Sequence, residues 1–255
     1  MDKAKSTYVV QAVEYALDIL EVLADATTDG SPAHLAGKLG ISRNKTFRLL
    51  ATLENRGLVE KDEGSGCYCL GITTAELAQR FLKNISLIQY AHPVIEGLAR
   101  KHDEAVYMTV LRGSEVLFLD MADCDQPIKT ASLVGKRFPF FTNAAGKAMK
   151  ALESRDLLEK LFSRRGKSEL PDLDGLENEL NAIRDKGVAV ESGGLGEGVV
   201  TVAVAVKDYA GKVVGALTML GPSFRMVADR LENEIIPSLM DGAEMLSMKF
   251  GYARM

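Results

Sequence analysis

The sequence predicts an α+β protein in which an N-terminal winged helix-turn-helix domain leads through a connector helix into a larger domain with a largely antiparallel sheet. Three observations predict it. Two short capped helices meet at a glycine between residues 31 and 57, and a glycine-rich hairpin follows at once. Beyond residue 105 the apolar spacing changes from helical to alternating. The expected boundaries are 1–72 for the winged domain, 73–86 for the connector and 87–255 for the second domain.

The first helix is expected over residues 9–24, where Val10, Val13, Leu17, Leu20 and Leu23 form a stripe that should pack beneath the next two helices. Thr27-Thr28-Asp29-Gly30 breaks it. Ser31 is placed to cap a free backbone N–H while Pro32 takes the first helical position, and Gly40 stops that helix after Leu35, Ala36 and Leu39. Ser42 caps the next, which carries Phe47, Leu49, Leu50 and Leu53 to a stop at Gly57. Its opening turns hold Ser42, Arg43, Asn44, Lys45, Thr46 and Arg48, residue types that bond to base edges and phosphates, and these are the candidate DNA-binding residues. Leu58–Lys61 and Cys67–Leu70 then flank Asp62-Glu63-Gly64-Ser65-Gly66, a hairpin. A charged, solvated helix that binds nothing explains the second helix alone about as well. The attached wing favours double-stranded operator DNA.

The balance of charge fits a local contact. A net charge of −4 excludes a wholly basic nucleic-acid coat, yet Lys38, Arg43, Lys45, Arg48, Arg56 and Lys61 face only Glu54 and Glu60 within this stretch. Hydrophobic residues make up 47% of the chain, which excludes a disordered protein and leaves enough for two cores. Cys67, Cys69 and Cys124 have no metal-ligand spacing, and Cys67 and Cys69 share a face of the wing where packing is the expected role. The N-terminal residues show no apolar leader and no run reaches membrane-spanning length, so a soluble, cytoplasmic protein without membrane contact is expected.

Thr73 and Thr74 open the connector through Ala75, Leu77, Ala78, Phe81 and Leu82. A helix follows over about 87–101, with Pro93 inside it or marking its start. Val106–Leu111 and Val116–Leu119 enclose Gly113-Ser114 as a tight hairpin, and Ile128–Val134 is expected as a third strand. Helices are expected at Asn143–Leu152, Asp156–Phe162 and 173–186, the last stopped by Gly187. Strands at Val188–Glu191, 199–206 and Val213–Leu220 precede a final helix from Met226 to Phe250, bent at Pro237.

In the strand 199–206 the valines at 200, 202, 204 and 206 share one face, while Thr201, Ala203 and Ala205 share the other. With Lys207 opposite Lys212, Ala203 would face Ala216 and Thr201 would face Thr218. Small residues beside two hydroxyls suit a small polar ligand. They equally suit a closely packed helix, and a bulge at Gly211 would shift the pairing.

This order of elements resembles the IclR family of bacterial transcription regulators. Val10-Gln11-Ala12-Val13 with Ala16-Leu17-Asp18-Ile19-Leu20 is similar to that family's first helix. Leu39-Gly40-Ile41, Arg48-Leu49-Leu50-Ala51-Thr52-Leu53-Glu54 and Arg56-Gly57-Leu58-Val59 resemble its DNA-reading segment. In the second domain Ala145-Gly146-Lys147-Ala148, Gly187-Val188-Ala189-Val190, Ala216-Leu217-Thr218 and Gly221-Pro222 fall where the family pattern has them. The resemblance spans nearly the whole chain. It implies a GAF-like effector-binding domain, a homodimer or homotetramer, and control of a catabolic operon by a small organic acid.

By the same resemblance the effector-binding residues fall on the backbone at Ala144 and Ala145 and on Glu191, Thr201, Thr218 and Leu220. The helix start near Ala144 would hold the effector's carboxylate. The sequence departs from the pattern at several points. Thr201 stands where a Cys is common, Leu220 where a Ser is frequent, and Glu191-Ser192-Gly193-Gly194 replaces a more acidic run. Ala205 replaces a Pro, and Asn44-Lys45 replaces a common Ser-Thr pair in the DNA-reading helix. A pocket less polar at one end, taking a bulkier or partly apolar acid, is expected, together with an operator of its own.

No cofactor or metal is expected. Gly146-Lys147 lacks the spacing of a phosphate loop, and Gly194, Gly196 and Gly198 lack that of a dinucleotide site. His34, His92 and His102 are scattered, which suggests surface or capping roles. Two other classes remain in view. One is an enzyme using the small-faced pocket with Glu191 in an acid/base pair, and the other a winged helix that binds protein instead of DNA.

Overall fold

The computed structural model describes residues 8–25, 27–83, 86–153 and 173–252, and the chain divides into two compact units, Met1–Ile85 and Ser86–Met255. The helix expected at Asp156–Phe162 lies outside the described residues.

In the first unit, helices α1 (Gln11–Leu23), α2 (Pro32–Leu39) and α3 (Arg43–Asn55) precede a wing of β1 (Val59–Lys61) and β2 (Tyr68–Leu70), then α4 (Ile72–Lys83). The caps are those the sequence signals. Ser31 accepts from the His34 N–H, Ser42 accepts from the Lys45 N–H, and Gly40 ends α2 with φ of 64°. In the wing turn the Asp62 carboxylate accepts from Ser65 N–H at 2.8 Å and Ser65 Oγ at 2.5 Å, which closes the loop and pulls the Asp62 carboxyl below its ordinary value. Thr74 Oγ1 donates to Leu58 O at 2.9 Å, tying the start of α4 to the segment before the wing.

The core of this unit is Ile19, Leu23, Leu35, Leu50, Leu53, Val59 and Tyr68. It differs from the expected stripe on α1, because Val10, Val13 and Leu17 are exposed while Ile19 and Leu23 are buried. The helix carries two apolar strips, and the inner one follows Ala16, Ile19 and Leu23 at the spacing of one face. The wing also corrects the cysteines. Tyr68 is the buried residue of β2, whereas Cys69 is exposed and Cys67 half-buried, so their shared face points away from the core.

The second unit is built on one antiparallel sheet of order β5-β4-β3-β8-β7-β6. Its strands are β3 (Ala105–Arg112), β4 (Glu115–Ala122), β5 (Arg137–Pro139), β6 (Ala189–Ser192), β7 (Val199–Lys207) and β8 (Val213–Pro222). Helices α5 (Ser86–His102) and α8 (Ile236–Lys249) cover the face that presents the β7 valines. Helices α6 (Ala144–Lys150) and α7 (Leu173–Lys186) cover the face that presents Ala203, Ala216 and Tyr107.

Three expectations change. Residues 128–134 form no strand; β5 takes the edge beside β4, with Val116 opposite Phe138. Ile128 and Val134 are exposed, so the segment has no alternating face to bury. The last helix runs without a gap from Ala228 to Lys249 but does not keep one form, since an α-helical turn (Ala228–Arg230) and a π-helical stretch (Leu231–Ile235) precede α8. Pro237 supplies no N–H to the preceding turn, and a wider turn lies immediately before it.

The third change is the register of β7 and β8. Thr201 lies opposite Leu220, Ala203 opposite Thr218 and Ala205 opposite Ala216. The loop closes with Asp208 N–H on Lys212 O, which pairs Lys207 with Val213, and an irregularity between Val206 and Lys207 adds a second step. Two shifts of one residue restore the parity, so the same residues share the small face although each has a different partner.

Candidate DNA-reading helix and effector site

Helix α3 has an inner and an outer face. Thr46, Leu50 and Leu53 are buried, at the spacing of one side of a helix. Arg43, Asn44, Phe47 and Arg48 are exposed on the other side, with the capping Ser42 exposed just before them. Lys45 is half-buried, its Nζ 4.0 Å from the centre of the Tyr15 ring on α1. Thr46 leaves the candidate set. It is fully buried, and its hydroxyl donates to Ser42 O at 3.2 Å. Phe47, one of the apolar residues that mark this helix in the sequence, joins the outer face instead and is 59% exposed.

In the second unit, all the residues carried over for an effector meet on the α6 side of the sheet. Asn143 caps α6, its Oδ1 accepting from Gly146 N–H at 3.0 Å while its Nδ2 donates to Pro139 O at 3.0 Å. That fixes the backbone at Ala144 and Ala145, both fully buried. The Ala144 N–H donates to Thr201 Oγ1 at 3.4 Å, and Thr201 Oγ1 in turn reaches Glu191 O at 3.4 Å. Thr218 sits one strand over, its hydroxyl 3.2 Å from that of Thr109, which also donates to Ala216 O at 3.0 Å. Thr201, Thr218 and Leu220 are each 1% exposed. Gly146 and Gly194 let backbones close on this region, because a Cβ at either would lie within about 2 Å of the carbonyl of Phe140 or Thr142.

Glu191 is not the isolated carboxylate its sequence suggests. It pairs with Lys147 Nζ, which also bonds Glu179 Oε1 at 2.7 Å. Lys147 is buried on α6. Burial acts against its charge, but the hydrogen bonds and charges of Glu179 and Glu191 outweigh that and hold the ammonium above its ordinary range. This lysine is a functional candidate that sequence reasoning missed, since only the spatial meeting of α6, α7 and β6 reveals it.

The histidines divide. His92 Nδ1 lies 2.8 Å from Asp120 Oδ2, whereas His102 is buried, contrary to a surface role. Burial, then the charges of Lys101 and Arg230, push the His102 imidazolium down. Among the described residues, no group of three or more His, Cys, Asp or Glu could hold a metal ion. No described helix is long and apolar enough to cross a membrane.

Comparison with known proteins decides what these two faces belong to. Residues 12–63 match the IclR helix-turn-helix domain, and residues 79–248 match the family described as bacterial transcriptional regulator IclR C-terminal. The chain belongs to the IclR family. It is therefore a DNA-binding transcription regulator with a C-terminal effector domain, and not an enzyme. Among curated IclR-family relatives, the transcriptional regulator KdgR of Escherichia coli is 25% identical over 248 residues, covering 95% of this chain and 94% of its own. The fold is shared with an IclR-family regulator from Alicyclobacillus acidocaldarius, at a TM-score of 0.84 and 23% identity over 94% of this chain and 99% of that one. An IclR homologue from Microbacterium hydrocarbonoxydans, solved in complex with 4-hydroxybenzoate, has a TM-score of 0.81 at 20% identity, again over 94% and 99%.

Proposed function

We propose that this regulator binds its operator through Ser42, Arg43, Asn44, Lys45 and Arg48 with Phe47 beside them, and that a small organic acid bound in the second unit changes that affinity. On this reading residues 1–72 bind DNA, 73–86 connect and 87–255 bind the effector. The observation that carries it is the convergence on one small-residue wall of two buried threonine hydroxyls and the Ala144 N–H. The bonds that Thr201 makes are long at 3.4 Å, so exchange for bonds to a carboxylate costs little. Glu191 shares the Lys147 ammonium with Glu179, so it meets an incoming acid as part of an ion-paired cluster and repels it less than a bare carboxylate would.

Two copies of the chain are the expected binding form, since paired half-sites add both area and spacing specificity. The outer strip of α1, with Val13 and Leu17 exposed, supplies an apolar surface for that pairing. For control, the acid must favour one arrangement of the protein, with a typical coupling of about 1–3 kcal/mol. The test is a gel shift on the DNA upstream of the protein's own gene, repeated with a panel of organic acids that includes the relative's 4-hydroxybenzoate. Shifted binding with one acid, abolished by Thr201→Val and Thr218→Val while ligand-free DNA binding is kept, is the expected result. Acid binding untouched by both changes puts the pocket elsewhere.

A further inference from the structure

Of the three cations in the opening turns of α3, Arg43 and Arg48 are exposed while Lys45 is half-buried. Helical spacing explains the difference. At about 100° per residue, Lys45 lies on the flank of the helix, between the outward Asn44 and the buried side of Thr46, Leu50 and Leu53. Its side chain turns to α1, where its Nζ lies 4.0 Å from the centre of the Tyr15 ring. Tyr15 is itself half-buried, and its hydroxyl accepts from Gln11 Nε2 one turn earlier at 3.2 Å.

The kind of contact matters. Among the described residues, Arg43, Lys45 and Arg48 make no ion pair with a carboxylate. A carboxylate in the place of Tyr15 would cancel the ammonium's charge and compete with DNA for it. An aromatic face attracts the cation through its quadrupole, leaving the charge uncancelled and the N–H donors free to turn outward. It also restrains a flexible four-carbon stem before DNA arrives, so less rotamer freedom is lost on binding.

The place matters as well. A helix seated in the major groove has base edges before its outer face and phosphates along its flanks. The Lys45 ammonium is a point charge with three rotatable donors, which suits a phosphate on the flank. Arg43, Asn44 and Arg48, exposed on the outer face, have the planar forks that read base edges. Helix α1 holds Glu14, Asp18 and Glu21 and no lysine or arginine, so its own charge opposes a phosphate.

Resting on the DNA-reading role of α3 given above, we infer that Tyr15 is a positioning residue for operator binding. Its ring holds the Lys45 ammonium at the α1 flank of α3, where the ammonium bonds a phosphate and reads no base. That contact fixes how α3 lies along the groove, and Arg43, Asn44 and Arg48 then meet their bases in register.

The experiment uses the full chain in gel shifts on the DNA upstream of its own gene, with single-base variants of the site and salt raised from about 50 to about 200 mM. Lys45→Met should lose about tenfold or more in affinity at low salt, by the same factor for every sequence. Its slope of log affinity against log salt should flatten by about one for each chain bound. Tyr15→Leu should lose about two- to fivefold, whereas Tyr15→Phe, which keeps the ring face, should bind as the wild type does. In a Lys45→Met background Tyr15→Leu should cost nothing further, because its effect passes through the lysine. Should Tyr15→Leu not fold, Tyr15→Met is read in its place.

A Lys45→Met loss confined to one base pair makes Lys45 a base reader and overturns the inference. So does a Tyr15→Leu loss that persists undiminished without Lys45, since the ring would then only pack α1 on α3. Wild-type affinity in Lys45→Met and Tyr15→Leu, with Arg48→Ala still weakened, overturns it while leaving the DNA reading standing. If Arg43→Ala and Arg48→Ala also bind as the wild type does, both fall.

Discussion

Helices α3 and α6 both begin at a side-chain cap, yet they carry their chemistry on opposite sides. In α3 the Ser42 cap is followed by exposed Arg43, Asn44 and Arg48, while the buried side is Thr46, Leu50 and Leu53. Every residue of α6 from Ala144 to Lys150 is buried, so whatever that helix recognises must come inside. The difference teaches where each function can be read. An outward site is defined by residues the helix leaves unburied, and helical spacing exposes them. An inward site is defined by partners that the sheet brings from far along the chain.

The largest expected effect separates the two faces of α3. Leu50→Ala should cost about 2–5 kcal/mol of stability, because a fully buried leucine leaves a cavity. Phe47→Ala, three residues away and exposed, should stay within about 0.5 kcal/mol and lower operator affinity instead. Denaturant midpoints and gel shifts on both variants check the pair. Equal destabilisation would mean that Phe47 belongs to the core after all.

Next comes the buried cation of α6. Lys147→Met should cost about 1–3 kcal/mol near neutral pH, moderated because both partner glutamates retain some solvent. The pH dependence has a definite sign. The folded ammonium is held above its ordinary value of about 10.5, so its stabilisation is complete below that value and fades as pH rises through the folded one. The stability gap between wild type and Lys147→Met should therefore be flat from neutral pH to about 10 and narrow above it. A gap that narrows on acidification down to pH 6 would assign the stabilisation to another group.

Smaller again are the outer contacts of α3. Alanine at Arg43, Asn44 or Arg48 should weaken operator binding by about 1–3 kcal/mol where the side chain reads a base, with unfolding midpoints unmoved. For those that touch phosphate, the loss should instead be uniform across sequences and flatten the salt dependence. Unchanged affinity in every variant would remove this face from DNA.

How much could be read beforehand follows the same division. Caps at Ser31, Ser42 and Asn143, the stops at Gly40 and Gly187, and the hairpin at Gly113 are local signals, and the structure keeps them. The sharing of a face by Thr201, Ala203, Ala216 and Thr218 was also legible, because parity survives two one-residue shifts. Their partners were not, since the turn at Asp208 and the step at Val206 are decided by hydrogen bonds that no spacing encodes. Glu191 could be named from its place in the family pattern, but its ion-pair partner Lys147 lies 44 residues away in sequence. Residues 128–134 show the limit from the other side. β-branched residues favour a strand there, and burial declines one.

The smallest expected effect is the most discriminating, because it falls on a residue whose type suits either face. Thr46 has the chemistry of a DNA contact and the position of a core residue. Its hydroxyl donates to Ser42 O, but that carbonyl already accepts the Thr46 backbone N–H at 3.0 Å. Thr46→Val removes one bond, keeps the volume and leaves the carbonyl paired. Stability should change by less than about 1 kcal/mol. Operator affinity should not change at all, since the side chain reaches no solvent through which DNA could approach. A base-reading threonine would behave differently, with discrimination at one base pair relaxed by about 1–3 kcal/mol. Gel shifts of Thr46→Val on an operator and its single-base variants separate the two cases. Relaxed specificity at any position would turn the inner face of α3 outward and with it overturn the contrast between the two helices.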